Sequence, residues 1–61
     1  MTRTSKAIYL KSQGEDIVWD HKVGRIFFLE INGQKFKRTP DDQMLANELI
    51  DEIFDAYWDN D

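Results

Sequence analysis

The side chains best suited to chemistry or recognition in this sequence are carboxylates near its C-terminal end. Six of them share a helical spacing: Asp41, Glu48, Asp51, Glu52, Asp55 and Asp59. A helix turns by about 100° per residue, so this spacing gathers the six on one side of a helix. Such a face presents a negative field that cations or a basic protein surface would recognise.

This arrangement of acids lowers the stability of the helix that carries it. Glu48 with Glu52, and Asp51 with Asp55, are like-charged pairs four residues apart, and each costs about 0.2–0.5 kcal/mol. Asp55 and Asp59 also oppose the negative C-terminal end of the helix dipole. We therefore expect the face to bind a basic patch on a partner protein. The alternative is a solvated face that keeps a small protein in solution.

Charge is divided unevenly along the sequence. Residues 1–38 hold eight bases and four acids, whereas residues 39–61 hold eight acids and no base, and the total is −4. A field of one sign on one element steers partners. These features are typical of a small regulator, such as an inhibitor, an adaptor or an antitoxin-like factor of the kind carried by phages and plasmids. In the sharpest form of this hypothesis the acidic helix mimics nucleic-acid phosphates.

Two large apolar residues lie beside the acidic face. Met44 and Trp58 fall outside the apolar stripe of the same helix, toward the flanks of the acids. Tryptophan is enriched at interface hot spots, so we expect these two residues to anchor the partner. In the alternatives, Trp58 folds back over the sheet edge or Met1, or anchors a second copy of the protein in a homodimer.

A basic and aromatic set of residues supports a second hypothesis, the binding of single-stranded nucleic acid. Its members are Lys22, Arg25, Phe28, Lys35 and Lys37. An exposed aromatic ring among bases on a sheet stacks on nucleotide bases while the cations contact phosphates. Lysines on an edge strand also deter aggregation, which is the structural alternative.

Residues for catalysis or for a specific metal site are scarce. His21 is the single histidine, and the sequence has no cysteine. No nucleophile lies at a suitable spacing from a base, and no calcium-loop or phosphate-loop motif occurs. A protein of 61 residues also has little room for a substrate pocket. We expect no enzymatic activity, no cofactor and no metal.

The elements that position these residues predict a small α+β domain. We expect a three- to four-strand antiparallel meander, with strands over residues 6–11, 16–20, 25–31 and 34–38. One C-terminal amphipathic helix over residues 40–58 would pack on it, with residues 1–5 frayed. Thr39 is a good N-cap for this helix and Pro40 suits its first position.

The Asn32-Gly33 pair predicts a type I′ turn that sets the register of the last hairpin. Alternation then places one apolar set toward the core: Phe27, Leu29, Ile31 and Phe36. Phe28 would face outward. The apolar stripe of the helix would include Leu45.

Targeting signals are not evident in the sequence. The longest apolar run, Ile26 to Leu29, is far shorter than the about 20 residues of a membrane span. The polar N-terminus lacks the apolar region of a signal peptide. We expect a single-domain cytoplasmic protein that begins at Met1.

Overall fold

A computed structural model describes residues 2–58 of the protein. Its elements are α1 (Arg3–Ser12), β1 (Ile17–Lys22), β2 (Arg25–Ile31), β3 (Gln34–Lys35) and α2 (Pro40–Trp58). The three strands form an antiparallel sheet in the order β1-β2-β3. The predicted α+β class, with an antiparallel sheet and a long C-terminal helix, is confirmed.

The first element is a helix, so the prediction of a strand over residues 6–11 is wrong. Thr2 caps this helix: its hydroxyl accepts the Ser5 N–H at 3.1 Å. Residues 3–5 therefore belong to the first turn of α1 and are not frayed. Ala7 and Leu10, three residues apart, are both buried and form the inner face. This packing outweighs the strand propensity of Ile8 and Tyr9.

A glycine-containing cap ends α1. The Gly14 N–H donates to the Lys11 carbonyl and the Glu15 N–H to the Leu10 carbonyl, each at 3.1 Å. Gly14 has a φ of 102°, which a side chain would strain. These two bonds are those of a Schellman motif, and they turn the backbone sharply into β1.

An irregularity in β2 decides which aromatic residues enter the core. Val18 pairs with Glu30, but the next residue, Trp19, pairs with Phe28, so Leu29 has no partner in β1. One extra residue in a strand reverses its alternation of faces. Phe28 is consequently fully buried. The predicted inward orientation of Leu29 and Phe27 is wrong for this reason, since both are only partly buried.

The turn after β2 has the predicted form, but β3 is shorter than the predicted 34–38. Asn32 and Gly33 both have positive φ, at 48° and 90°, as a type I′ turn requires. Ladder pairing then stops at Lys35. The backbone diverges because the Lys37 N–H donates to the Asp42 carboxylate at 2.7 Å, which ties it to the start of α2.

Helix α2 lies against the sheet and α1. Its start is capped by Thr39, whose hydroxyl accepts the Asp42 N–H at 3.4 Å. Within residues 2–58 the core consists of Ala7, Leu10, Ile17, Phe28, Ile31, Phe36, Ala46, Ile50 and Phe54. The prediction that Leu45 belongs to the apolar stripe is wrong: it is half exposed, because it projects past the edge of the packed face. Neither helix in this part of the protein has the length and apolarity needed to cross a bilayer.

Candidate protein-interaction site

Four acids of α2 form what we call the acidic face: Asp41, Glu48, Glu52 and Asp55. All four side chains are exposed. Within residues 2–58 none of them takes part in a salt bridge. Their charges therefore repel one another without internal compensation, and the face projects a negative field into solvent. Asp59, predicted to join the same group, lies outside the described residues.

Asp51 belongs to a different environment from the acidic face. Its carboxylate lies 3.1 Å from the Lys6 Nζ of α1 and is only partly buried. The Lys6 ammonium also sits 5.0 Å from the centre of the Phe54 ring. Lys6 thus joins the two helices by an ion pair and a cation–π contact. This pairing directs Asp51 toward α1 and away from the other acids.

Apolar side chains lie among the acids of the acidic face. Met44 is 55% exposed and Leu45 is 54% exposed. In helical projection Leu45 lies about 40° from Asp41 and about 20° from Glu52. Sequence reasoning missed Leu45 because its position also borders the apolar stripe. Its short angular distance from two acids was the signal that could have found it.

Trp58 contacts the aromatic side chains of both helices. Its ring centre lies 5.6 Å from that of Phe54 and 6.4 Å from that of Tyr9. Tyr9 also meets Tyr57 edge-to-face at 6.1 Å. Trp58 therefore packs on α1, and not over the sheet edge as one alternative predicts. Met1, the other contact named in that alternative, lies outside the described residues. It remains 56% exposed, so the other side of its ring is open to solvent.

The residues of the alternative nucleic-acid site do not form one surface. Phe28 is fully buried, so its predicted role as an exposed stacking residue is wrong. Lys22 and Arg25 are cross-strand neighbours beside the β1–β2 turn. Lys35 is the cross-strand neighbour of Glu30 at the opposite end of the sheet. Lys37 is exposed but lies beyond the last ladder pair.

The outer sheet face holds an internal ion pair. The Arg38 guanidinium lies 2.8 Å from the Asp20 carboxylate and 5.4 Å from the centre of the Phe27 ring. The hydrogen bond from Arg38 lowers the pKa of Asp20 below its usual 3.8, although partial desolvation opposes the shift. Arg38 therefore covers part of the Phe27 ring, which could otherwise have stacked on a nucleotide base.

Metal chemistry finds no support in the arrangement of side chains. Among residues 2–58, no three histidine or carboxylate groups converge as metal ligands would. The acids of the acidic face are spread along the exposed side of α2 and do not close around a point.

Comparison with known proteins gives no relative from which a role could be transferred. The sequence and fold match no protein-family model, no curated protein and no solved structure.

Proposed function

We propose that this protein is a small non-catalytic regulator that binds a basic surface of another protein through the acidic face of α2. The observation that supports this most is the set of four exposed, unpaired acids around the half-exposed Met44 and Leu45. The acids lower helix stability and form no ion pair within the described residues. A partner that supplies basic groups would relieve this repulsion.

The two kinds of residue have different roles in this proposal. Exposed ion pairs contribute only about 0–1 kcal/mol each, so the acids give orientation and fast association more than affinity. Full burial of a large apolar residue contributes about 1.5–3 kcal/mol, and Met44 and Leu45 have about half of that still to gain. Trp58 would add a second anchor at the far end of α2.

The shape of the site favours a partner with a basic groove or cleft. A single helix can enter a groove with its exposed side, as amphipathic helices do in many complexes. A groove that normally holds nucleic-acid phosphates has the right charge. In that case the protein would inhibit its partner by occupying the groove, as a nucleic-acid mimic.

The test compares two triple variants with the same change in net charge. The first, Glu48→Gln with Glu52→Gln and Asp55→Asn, removes three charges from the acidic face. The second, Glu15→Gln with Asp16→Asn and Glu30→Gln, removes three charges elsewhere. The tagged full-length protein and both variants are used to capture proteins from the native host at low and high salt, with quantification by mass spectrometry.

We expect the first variant to lose a partner that the second retains, and high salt to weaken the capture. Equal capture by both variants would refute a specific role of the acidic face. A labelled oligonucleotide shifted by the protein, with loss on Lys22→Gln plus Arg25→Gln, would instead favour nucleic-acid binding. Sedimentation at several concentrations tests whether the captured partner is a second copy of the protein.

A further inference from the structure

A groove of about 900 Å³ lies where the N-terminus of α1, the β1–β2 hairpin and α2 meet. We call it the hairpin groove. Its lining includes Arg3, Lys6, His21, Arg25, Asn47 and Asp51. None of the four residues of the acidic face lines it. The groove is therefore a second surface, built from three elements rather than from one helix.

One wall of the hairpin groove is a stretch of β2 that no strand covers. The Phe28 N–H and C=O are satisfied by the side-chain amide of Gln43, at 2.9 Å each. Ile26 lies two residues earlier, so its N–H and C=O point to the same edge of the sheet. Strand β3 pairs only with Glu30 and Ile31. Within residues 2–58 the Ile26 backbone has no hydrogen-bond partner on this edge.

The opposite wall includes a residue, Asn47, whose side-chain oxygen is buried and has no partner within residues 2–58. Asn47 follows Gln43 by one turn of α2, and both residues line the groove. The Oδ1 atom of Asn47 is buried and accepts no hydrogen bond within the described residues. A buried acceptor without a donor destabilises a fold. Asparagine is one methylene shorter than glutamine, so Asn47 does not repeat the bridge that Gln43 makes to β2.

The rim of the hairpin groove is positively charged. Arg3 and Arg25 line it from two different elements, and His21 lies between them in sequence on β1. The first turn of α1 contains no acid to offset its positive dipole. Asp51, the acid in the lining, is already paired with Lys6. An incoming group is therefore expected to be anionic.

We propose that the hairpin groove binds an extended acidic peptide segment of a partner protein, which adds to the open edge of β2 at Ile26. Backbone carbonyl and N–H groups of the peptide would pair with Ile26, and rotation of the Asn47 side chain toward the groove would let its Oδ1 accept a further peptide N–H. Its acidic side chains would meet Arg3 and Arg25. The structure already contains a precedent, since the Gln43 amide pairs with Phe28 as a neighbouring strand would.

A free inorganic anion fits the same observations less well. Phosphate would suit Arg3, Arg25 and the helix N-terminus. It offers mainly acceptor atoms, whereas the Asn47 Oδ1 and the Ile26 C=O both require donors. A peptide backbone supplies donors and acceptors in alternation, which matches both walls.

The binding test uses a fluorescein-labelled octapeptide of alternating valine and glutamate, titrated with the full-length protein and followed by anisotropy. Asn47→Asp keeps the shape of the residue but places a negative charge against the peptide. We expect it to weaken binding about tenfold, and Arg25→Gln to weaken it about three- to fivefold. Lys37→Gln removes a base outside the groove and should leave binding unchanged. Circular dichroism checks that each variant is folded.

Two further peptides test strand addition itself. Alternate residues of a strand direct their N–H groups to opposite edges, so N-methylation of either all valines or all glutamates blocks one edge. Loss of binding on at least one of these changes is expected. Retained binding of both methylated peptides, equal binding by Asn47→Asp, or displacement by inorganic phosphate but not by chloride at matched ionic strength would overturn the proposal.

Discussion

The acidic face and the hairpin groove are two surfaces of opposite sign that are built in different ways. The acidic face requires only that α2 be helical, since all four of its acids lie on that element. The hairpin groove requires α1, the β1–β2 hairpin and α2 to meet. The first surface therefore follows from local periodicity, whereas the second exists only in the complete fold.

The two surfaces also differ in what their polar groups lack. The acids of the acidic face are solvated, so their repulsion acts mainly through the field around the molecule. Groups in the hairpin groove lack specific partners: the buried Asn47 Oδ1 and the backbone of Ile26. We therefore expect ligand binding at the first surface to depend strongly on salt and at the second to depend on hydrogen-bond geometry.

The largest effect is expected at the core beneath the hairpin groove. Phe28→Ala should cost about 3–5 kcal/mol. The total stability of such a protein is about 0.05–0.15 kcal/mol per residue, so this variant should lose a large share of it. Phe27→Ala, on the adjacent partly exposed residue, should lose only about 1–2 kcal/mol. Urea denaturation measures both. Similar losses would mean that Phe27 and Phe28 do not lie on opposite faces of β2 with Phe28 inward.

The alternation of faces along β2 also shows where sequence reasoning stops. The strand and its turn were predictable, because Asn32-Gly33 and the apolar run are local signals. The extra residue at Leu29 has no local signal, and it exchanges the environments of Phe28 and Phe27. The predicted inward positions of Phe27 and Leu29 and the predicted stacking role of Phe28 are wrong for this single reason, whereas Ile31 and Phe36 are buried as predicted.

The two helices show the same limit. For α2 the sequence supplies an N-cap, a proline at the first position and a long amphipathic period, and these predict it well. The ten residues of α1 provide a weak period, and Ile8 and Tyr9 favour a strand. Its helical state is supported by tertiary contacts, such as Tyr9 against Phe54 at 5.7 Å. The hairpin groove could not be predicted, because it depends both on the helical state of α1 and on the extra residue at Leu29.

A substitution at Gln43 should affect the hairpin groove without affecting the acidic face. Gln43→Ala leaves the Phe28 N–H and C=O without their partner, which should cost about 1–3 kcal/mol. It should also distort the hairpin groove and weaken binding of the acidic octapeptide, while the acidic face stays intact. The measurements are thermal unfolding and peptide anisotropy. Gln13→Ala, an exposed position at the end of α1, is the control and should change neither.

Smaller effects of opposite sign distinguish paired acids from unpaired ones. Glu48→Gln with Glu52→Gln should raise the free energy of unfolding by about 0.2–0.5 kcal/mol, because a like-charged pair is removed. Asp51→Asn should lower it by up to about 1 kcal/mol, because the half-exposed bridge to Lys6 is lost. Chemical denaturation at low salt gives both values. A stability loss in the double variant would contradict the view that these acids strain the helix.

The smallest effect on stability is expected at Asp20, which belongs to neither surface and forms an ion pair with Arg38. Its folded pKa lies below 3.8, so its ionised form stabilises the fold at pH values above the unfolded pKa. That contribution is lost as the pH falls through the folded pKa. The urea midpoint of Asp20→Asn should therefore lie below that of the unchanged protein near neutral pH, and the two should converge in acid. A difference at Asp20 that grows on acidification would show that Arg38 does not hold this carboxylate in solution.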